Sequence, residues 1–291
     1  MTKRKRDQVE YWMFIAPALV ILLIICVIPI FLNFYYACFK WNGISSTKLF
    51  VGLDNFKKLL SGDPKFVQSV KFTIRYTVLY VLFSNAIALF VAVVLSNSKK
   101  IISDIGCVAF YIPCITASAS TGLMWKFIFR DGMKSIYKLT GVEIFSKSWI
   151  GSIQLSFYAI LIVGVWGSVG FYNIIYIAAL RSVQDDIKEA AIIDGASKWQ
   201  CFWKVIFPEI IPTFSTCILL SFINGFKVFD TIMLITGGGP AGYTTSLAYG
   251  IYSSAFRERN YGTASAEALI FFIALVILTV IELKVTRKVS E

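Results

Sequence analysis

Six long apolar stretches dominate this chain of 291 residues. They cover roughly residues 12–38, 72–95, 105–125, 153–179, 205–235 and 262–283. About 20 apolar residues in a helix cross the roughly 30 Å hydrocarbon core of a bilayer. Within lipid, a helix satisfies all of its own backbone hydrogen bonds. The pattern therefore predicts an all-α, polytopic membrane protein with six transmembrane helices.

Two of the six stretches are irregular. The third is the weakest, because Pro113 and a run of serine, threonine and alanine dilute its apolar character. The fifth is long and carries residues that interrupt helices or apolar runs: Pro208, Pro212, Gly225, Lys227 and Asp230. We expect the fifth helix to be bent or broken.

The composition narrows the class of function. Hydrophobic residues make up 57% of the chain and charged residues only 15%, against about 25% charged residues in a soluble domain. The net charge of +11 would suit nucleic acid, but a mean hydropathy of +0.71 leaves little water-exposed surface to bind it. We expect a lipid bilayer around the chain and no nucleic-acid partner.

Lysine and arginine predict the orientation. They are denser in the segments that would lie inside if the N-terminus is cytoplasmic, and the run Lys3-Arg4-Lys5-Arg6 precedes the first apolar stretch. That stretch is too long for a signal peptide, so an uncleaved helix is expected. The prediction is a multi-pass protein of the cytoplasmic membrane, with cytoplasmic termini (1–11 and 284–291), a transmembrane domain (12–283) and a cytoplasmic loop (180–204).

Catalytic and cofactor signatures are missing from the sequence. There is no histidine, no phosphate-binding loop, no HExxH and no GxSxG. Gly237-Gly238-Gly239-Pro240 is glycine-rich but has no lysine after it. The six cysteines form no CxxC pair and suit small apolar positions in helices. We expect no enzyme activity, catalytic residue, cofactor or metal site, so any ATPase that drives this chain is a separate polypeptide.

The loop at 180–204 has the local signals of two short helices. Asp185 and Asp186 favour a helix N-terminus, and Gly195 is placed to end that helix in a left-handed conformation. A second helix is predicted at about residues 197–205. Two alanines beside Glu189 would allow close approach by a partner, yet spacing alone equally permits a plain amphipathic helix on the membrane surface.

A longer pattern in this loop resembles a known family. Glu189-Ala190-Ala191, three residues, Gly195, nine residues and then Val205-Ile206-Phe207-Pro208 is similar to the EAA loop of binding-protein-dependent ABC importer permeases. Valine and phenylalanine replace the isoleucine and leucine of the family pattern. Two further strings resemble its carbohydrate branch: Ile193-Asp194-Gly195-Ala196-Ser197 and Val51-Gly52-Leu53-Asp54-Asn55-Phe56. A third, Thr236-Gly237-Gly238-Gly239-Pro240, resembles the permease subunits of the maltose and glycerol-3-phosphate systems.

The resemblance implies a type I ABC importer permease fold with a cytoplasmic coupling helix between spans four and five. It implies ATP-driven import of a sugar or oligosaccharide by alternating access. The implied partners are a second homologous permease, two copies of an ATP-binding subunit and an extracytoplasmic solute-binding protein, which the outer segments 39–71 and 236–261 would face. The implied ATPase-coupling residues are Glu189, Ala190, Ala191, Asp194 and Gly195. The alternative is an ion-coupled secondary transporter, although inverted repeats are not apparent.

Polar residues within spans four and five mark a candidate substrate pathway. Lys227 and Asp230 are three apart and would pair on one helix face. A separate stripe of Ser221, Asn224, Gly225 and Val228 offers groups that suit sugar hydroxyls. Span four adds Trp166, Ser168 and three pathway candidates, and for all of these residues helix packing is the favoured interpretation. The full set of candidates is Phe171, Tyr172, Asn173, Ser221, Asn224, Gly225, Lys227, Val228 and Asp230.

Overall fold

A computed structural model describes residues 3–290, with side chains described for residues 11–281, 283 and 284. The helices are α1 (Lys3–Leu22), α2 (Ile28–Ala37), α3 (Asp54–Leu60), α4 (Pro64–Ser96), α5 (Lys100–Ile115), α6 (Ser118–Phe127), α7 (Met133–Thr140), α8 (Ile153–Ser182), α9 (Asp185–Ile193), α10 (Lys198–Cys201), α11 (Phe207–Phe226), α12 (Asp230–Ile235), α13 (Leu247–Tyr252) and α14 (Tyr261–Ser290). A two-stranded antiparallel ribbon joins β1 (Phe39–Lys40) to β2 (Leu49–Phe50).

Short stretches of wider or tighter helix connect several of these elements. Single π-helical turns lie at Leu23–Val27, Ile128–Gly132, Phe202–Ile206 and Ser253–Arg257, and a 3₁₀ turn lies at Glu143–Phe145. The π turns keep the helix axis running, so α1 continues into α2 and α10 continues into α11. The chain divides into two compact units, one of residues 1–63 and 250–273 and the other of residues 64–249 and 274–291.

Five helices are long and apolar enough to cross a membrane: Tyr11–Ala37, Pro64–Ser96, Ile153–Ser182, Lys198–Phe226 and Tyr261–Ile281. The sixth predicted span, the weak third stretch, is a pair of helices, Lys100–Ile115 and Ser118–Thr140, that meet at 95°. The bend falls at Thr116 and Ala117, which are extended rather than helical. The described residues thus hold six membrane-crossing elements only if this bent pair counts as one.

In the first unit, Asn55 fixes the loop that follows α2. Its side-chain amide donates hydrogen bonds to the carbonyls of Ala37 at 2.7 Å and Phe39 at 3.1 Å. Its side-chain oxygen accepts from the hydroxyl of Thr263 at 3.4 Å. Asn55 belongs to the string Val51–Phe56, so that string has a structural role in joining the ribbon and α3 to the start of α14.

In the second unit, α8 is the central helix. It runs alongside α4 in the same direction, since Phe157 meets Phe72 near one end and Tyr176 meets Asn85 farther along. Helix α11 packs against α4 in the opposite direction. A small apolar core of Phe129, Ala159, Val163 and Ile235 fills the space beside α8. Half of the residues of α8 are buried, 15 of 30, whereas only 5 of the 20 residues of α11 are buried.

The predicted break in the fifth stretch is confirmed, and it lies at residues 227–229. Pro208 and Pro212 do not end the helix: Pro208 directly follows the π turn Phe202–Ile206, and Pro212 lies inside α11. One prediction is wrong: Lys227 and Asp230 do not share a helix face. Helix α11 ends at Phe226 and α12 begins at Asp230, and in residues 3–290 no ion pair joins the two side chains.

Most of the basic residues at the two ends of the chain, on which the predicted orientation partly depends, lie outside the residues with described side chains. The side chains of Lys3-Arg4-Lys5-Arg6 lie outside the described residues, as do those of residues 285–291. Within the chain, the predicted helix at 197–205 begins as expected but has no separate end. It runs through the π turn at Phe202–Ile206 into α11.

Candidate functional site

Helix α9 follows α8 after a two-residue gap and starts with acidic residues. Asp185 and Asp186 occupy its first turn, where the helix dipole favours negative charge. Lys188 pairs with Asp185 at 2.9 Å, one turn away. The sequence thus folds locally into the short helix that the two aspartates predict.

Gly195 ends α9 as predicted. Its φ is +82°, a left-handed conformation that a side chain would strain. The N–H of Gly195 donates to the carbonyl of Ile192, and the N–H of Ala196 donates to that of Ala191, both at 3.0 Å. These two bonds are the pattern that closes many helix C-termini. They fix the direction in which the chain leaves the alanine pair.

The next turn is fixed by a reciprocal cap. Ser197 accepts a hydrogen bond from the N–H of Gln200 at 3.3 Å, and the Gln200 side chain accepts one from the N–H of Ser197 at 2.9 Å. This capping box starts α10 only two residues after the glycine turn. Because α10 continues into α11, the loop is directly attached to the fifth apolar helix.

The outer face of this helix–turn–helix is uncovered. Glu189 and Ala190 are exposed, and Ala191 is half-buried. Two large apolar side chains stand out from the same segment: Ile193 is 85% exposed and Trp199 is 71% exposed. Exposed apolar side chains rimmed by polar residues mark a surface that binds another protein or a membrane.

The inner face of the loop rests against the ends of the long helices. The guanidinium of Arg181, at the end of α8, donates to the buried hydroxyl of Ser103 in α5 at 3.1 Å. A cavity of about 280 Å³ lies between the last turn of α4, the first turns of α9 and the Phe202–Ile206 turn. The loop is therefore tied to α5 and α8 but not tightly packed beneath α9.

A second polar cluster lies inside the membrane-crossing helices. Asn85 of α4 donates to the hydroxyl of Ser221 at 2.8 Å and accepts from the hydroxyl of Tyr176 at 2.6 Å. All three residues are buried. The cluster joins α4, α8 and α11 at one level. Ser221, predicted to face a solute, uses its hydroxyl here to join helices.

Asn224 lies one turn farther along α11 and differs from Ser221. It is exposed, and its amide donates to the hydroxyl of the buried Tyr172 at 3.2 Å. Phe171 is exposed and packs edge-on against Tyr172, with 5.3 Å between ring centres. The buried Tyr172 therefore contacts two exposed candidates of the second unit, Phe171 and Asn224.

The remaining pathway candidates are separated from that face. Asn173 is fully buried, and neither polar atom of its side chain has a hydrogen-bond partner among the described residues. Gly225 allows α11 to approach α4, since a Cβ there would lie 3.2 Å from the Thr77 backbone. Val228 is buried, whereas Lys227 and Asp230 are exposed on either side of the helix break.

Sequence reasoning missed the contribution of α4. Asn85 and Ser84 are polar residues in an otherwise apolar span, and Ser84 accepts a hydrogen bond from Ser168 at 3.2 Å. An amide in a membrane span is itself a signal, because it must find a partner within the protein. The signal was present in the sequence, but its partners lie 91 and 136 residues away.

Known proteins share both the sequence and the fold. Residues 71–290 match the family model described as binding-protein-dependent transport system inner membrane component. The chain is 33% identical over 283 residues to a probable starch degradation products transport system permease protein of Thermoanaerobacterium thermosulfurigenes, covering 97% of this chain and 96% of that protein. It is 30% identical over 277 residues to the multiple sugar-binding transport system permease protein of Streptococcus mutans, covering 95% of each.

A solved structure has the same fold at low sequence identity. It is the crystal structure of a bacterial alginate ABC transporter in complex with an alginate pentasaccharide-bound periplasmic protein. One of its chains is similar to this one with a TM-score of 0.83 and 19% identity, and the match covers 99% of this chain and 96% of that chain.

Proposed function

Because the chain belongs to the family of binding-protein-dependent transport system inner membrane components, we propose that it is a membrane-spanning subunit of an ATP-driven importer of sugars or oligosaccharides. The observation that carries the proposal is the exposed α9–α10 segment. It presents Glu189 and Ala190 beside two uncovered apolar side chains, Ile193 and Trp199. A separate ATP-binding subunit covers this surface on the cytoplasmic side.

The path from that surface to the membrane supports coupling. Helix α10 continues through the Phe202–Ile206 turn into α11, which carries Asn224 near its far end. Displacement of the loop by an ATPase therefore moves α11 without an intervening flexible linker. In this proposal the residues Glu189, Ala190, Ala191, Asp194 and Gly195 receive the motion, and alternating access follows from the tilt of the helices.

Uncovered apolar helices support a second permease subunit. The helix Tyr11–Ala37 is exposed along nearly its whole length, and only 5 of the 20 residues of α11 are buried. The chain supplies half of a pathway, and a homologous permease supplies the other half. An extracytoplasmic solute-binding protein delivers the solute; in support, the alginate transporter of similar fold forms a complex with a pentasaccharide-bound periplasmic protein.

The names of the similar permeases support a carbohydrate solute. The exposed side chains Phe171 and Asn224, which both contact the buried Tyr172, have the matching chemistry. An aromatic ring packs against the apolar face of a sugar, and an amide bonds its hydroxyls. Lys227 and Asp230 stay candidates for the pathway as separate charges rather than as a pair.

Reconstitution tests the coupling step. The chain is assembled with its partner permease, its ATP-binding subunits and its solute-binding protein in vesicles, and ATP-dependent sugar uptake is measured. Glu189→Lys reverses a charge on the exposed face, and Gly195→Pro is incompatible with φ of +82°. Both variants should insert normally and lose uptake. Glu143→Lys makes the same charge change in the 3₁₀ turn and should transport normally.

The outcome separates the proposal from its rivals. Wild-type uptake in both loop variants would overturn coupling through α9. Uptake by the chain alone, or uptake that an ion uncoupler abolishes while ATP is held constant, would instead identify an ion-coupled transporter. The solute class is tested by screening the cognate solute-binding protein against neutral oligosaccharides, acidic oligosaccharides and phosphorylated polyols. Failure of every sugar in that screen would contradict the carbohydrate assignment.

A further inference from the structure

Two basic side chains line a cavity at the shared end of α4 and α8. Lys71 and Arg75 lie on successive turns of α4, and the cavity of about 510 Å³ beside them is closed on the other side by Gln154 and Tyr158 of α8. Neither basic group takes part in an ion pair among the residues with described side chains, 11–281, 283 and 284. Of the described residues, no carboxylate lines this cavity.

Arg75 is held in place by aromatic rings. Its guanidinium lies over the ring of Phe157, 4.2 Å from the ring centre, and 6.0 Å from that of Tyr158. Stacking occupies the flat face of the guanidinium and leaves its N–H groups free at the edge, where they match a phosphate. The aromatic contact therefore orients Arg75 for an anion.

The cavity lies at the boundary of the apolar core. Arg75 is the last charged residue of α4, since residues 76–96 carry no charge. In α8 no charged residue lies between Ile153 and Leu180. The two helices run in the same direction, so both of their positive N-terminal ends are on this side. This is the depth at which lipid headgroups meet hydrocarbon.

An apolar groove continues from the same cavity. It has a volume of about 610 Å³ and shares Tyr158 with the basic cavity. From Tyr158 it follows one face of α8 to Val169, with Phe83 and Ile87 of α4 on one wall and Pro113 of α5 on the other. Eleven residues of helix span about 16 Å, which is close to half of a roughly 30 Å hydrocarbon core.

We propose that this composite site binds an anionic glycerophospholipid, with its phosphate on Lys71 and Arg75 and an acyl chain in the groove below Tyr158. The groove has the depth of one leaflet, which matches a single acyl chain, and the two cations at its Tyr158 end match the phosphate of the same lipid. A net anionic headgroup is favoured because the ammonium of a zwitterionic lipid would lie near two cations. This inference goes beyond the proposed transport function and does not depend on the solute.

Lipid titration of the intact complex tests the site. The complex is purified in the assembly that it forms, stripped of lipid, and titrated with phosphatidylglycerol or phosphatidylcholine while bound lipid is counted by native mass spectrometry. The double variant Lys71→Gln/Arg75→Gln should weaken phosphatidylglycerol binding roughly ten- to thirty-fold, with little change for phosphatidylcholine. Lys57→Gln/Lys58→Gln removes two cations from the exposed helix α3 and should leave both unchanged.

Two further variants serve as controls. One tests whether the loss of binding comes from misfolding, and the other tests what occupies the groove. Lys71→Arg/Arg75→Lys keeps both charges and should retain most of the binding, whereas Ala109→Trp fills the groove from α5 and should reduce binding of both lipids. Undiminished phosphatidylglycerol binding in the glutamine variant would overturn the proposal. So would full competition by glycerol phosphate, which would identify a site for a soluble anion. Loss of the partner permease from the Ala109→Trp complex would instead place a protein helix in the groove.

Discussion

Asn85 shows how one amide can join three helices in an apolar environment. It donates to Ser221 and accepts from Tyr176, so both ends of the side chain are used. Because lipid offers no replacement partners, such groups must be satisfied within the protein. The same need explains why the Ser221 hydroxyl is not available to a solute. Its role follows from a neighbour 136 residues away, which local sequence does not reveal.

The Asn85–Tyr176 bond should give a measurable coupling energy. A double-mutant cycle of Asn85→Ala and Tyr176→Phe is expected to give about 1 kcal/mol, because interhelical bonds in membrane proteins rarely exceed roughly 2 kcal/mol. The measurement is the free energy of unfolding in mixed micelles. Pairing Tyr176→Phe with Ser96→Ala, whose hydroxyl bonds only within its own helix, should give additive losses. Additivity in the Asn85 cycle as well would contradict the prediction.

Glycines in two long helices should respond oppositely to alanine. At Gly167 nothing lies within 4 Å of an added Cβ, so Gly167→Ala should stabilise α8 by roughly 0.5–1 kcal/mol. At Gly225 an added Cβ would lie 3.0 Å from the Tyr80 ring and 3.2 Å from the Thr77 backbone. Gly225→Ala should therefore destabilise the protein by about 1 kcal/mol. The measurement is the melting temperature of each variant, which should rise for Gly167→Ala and fall for Gly225→Ala. Equal shifts of the two melting temperatures would show that α11 does not depend on this close contact.

At the scale of elements, α9 and the helix break differ in how predictable they were. Helix α9 was predictable because its signals are local: two aspartates at its start and a glycine at its end. The break after Phe226 was expected, but the pairing of Lys227 with Asp230 was not correct. The hydroxyl of Ser246 donates to the carbonyl of Val228 at 2.6 Å and holds the non-helical segment. That contact is tertiary, so spacing alone suggested a continuous helix face.

The glycine turn after α9 should limit how often that helix opens. Gly195→Ala forces a side chain into the left-handed region, at a cost of about 1 kcal/mol. Amide hydrogen exchange at Ala196 should then become roughly five-fold faster, since its bond to Ala191 opens more often. Gly195→Asn should give a smaller increase, because asparagine tolerates this conformation. Unchanged exchange in the alanine variant would mean that the cap does not stabilise α9.

At the scale of the whole chain, the bent pair decides how many times the protein crosses the membrane. The apolar stretches were readable from composition, because each is nearly free of charge over about 20 residues. Pro113 and the serine-rich run indicated that the third stretch is weak, but they did not predict the 95° bend at Thr116 and Ala117. Composition reports whether a segment tolerates lipid. It does not report the angle between two halves of that segment.

Labelling from one side distinguishes five crossings from six. With the six native cysteines replaced, single cysteines at Asn97 and Ser146 flank the bent pair, and both positions are exposed. A membrane-impermeant maleimide added outside intact cells should label Ser146→Cys and not Asn97→Cys, as the lysine and arginine distribution predicts. Labelling of both positions, or of neither, would show that the bent pair enters and leaves on one side. The reverse pattern would invert the orientation.

One continuous helix, Lys198–Phe226, begins in the α9–α10 segment and crosses the membrane, so a displacement of the loop tilts the whole helix. Its 29 residues extend about 43 Å. A tilt of only about 5° about the loop end would swing the far end by roughly 4 Å, more than the separation of Asn224 from the Tyr172 hydroxyl. Within residues 198–226 the regular hydrogen bonding of the helix changes at the wide turn Phe202–Ile206 and at Pro212, which has no N–H to donate. The stiffness of the helix at these two places therefore sets how much of a displacement of the loop reaches the solute.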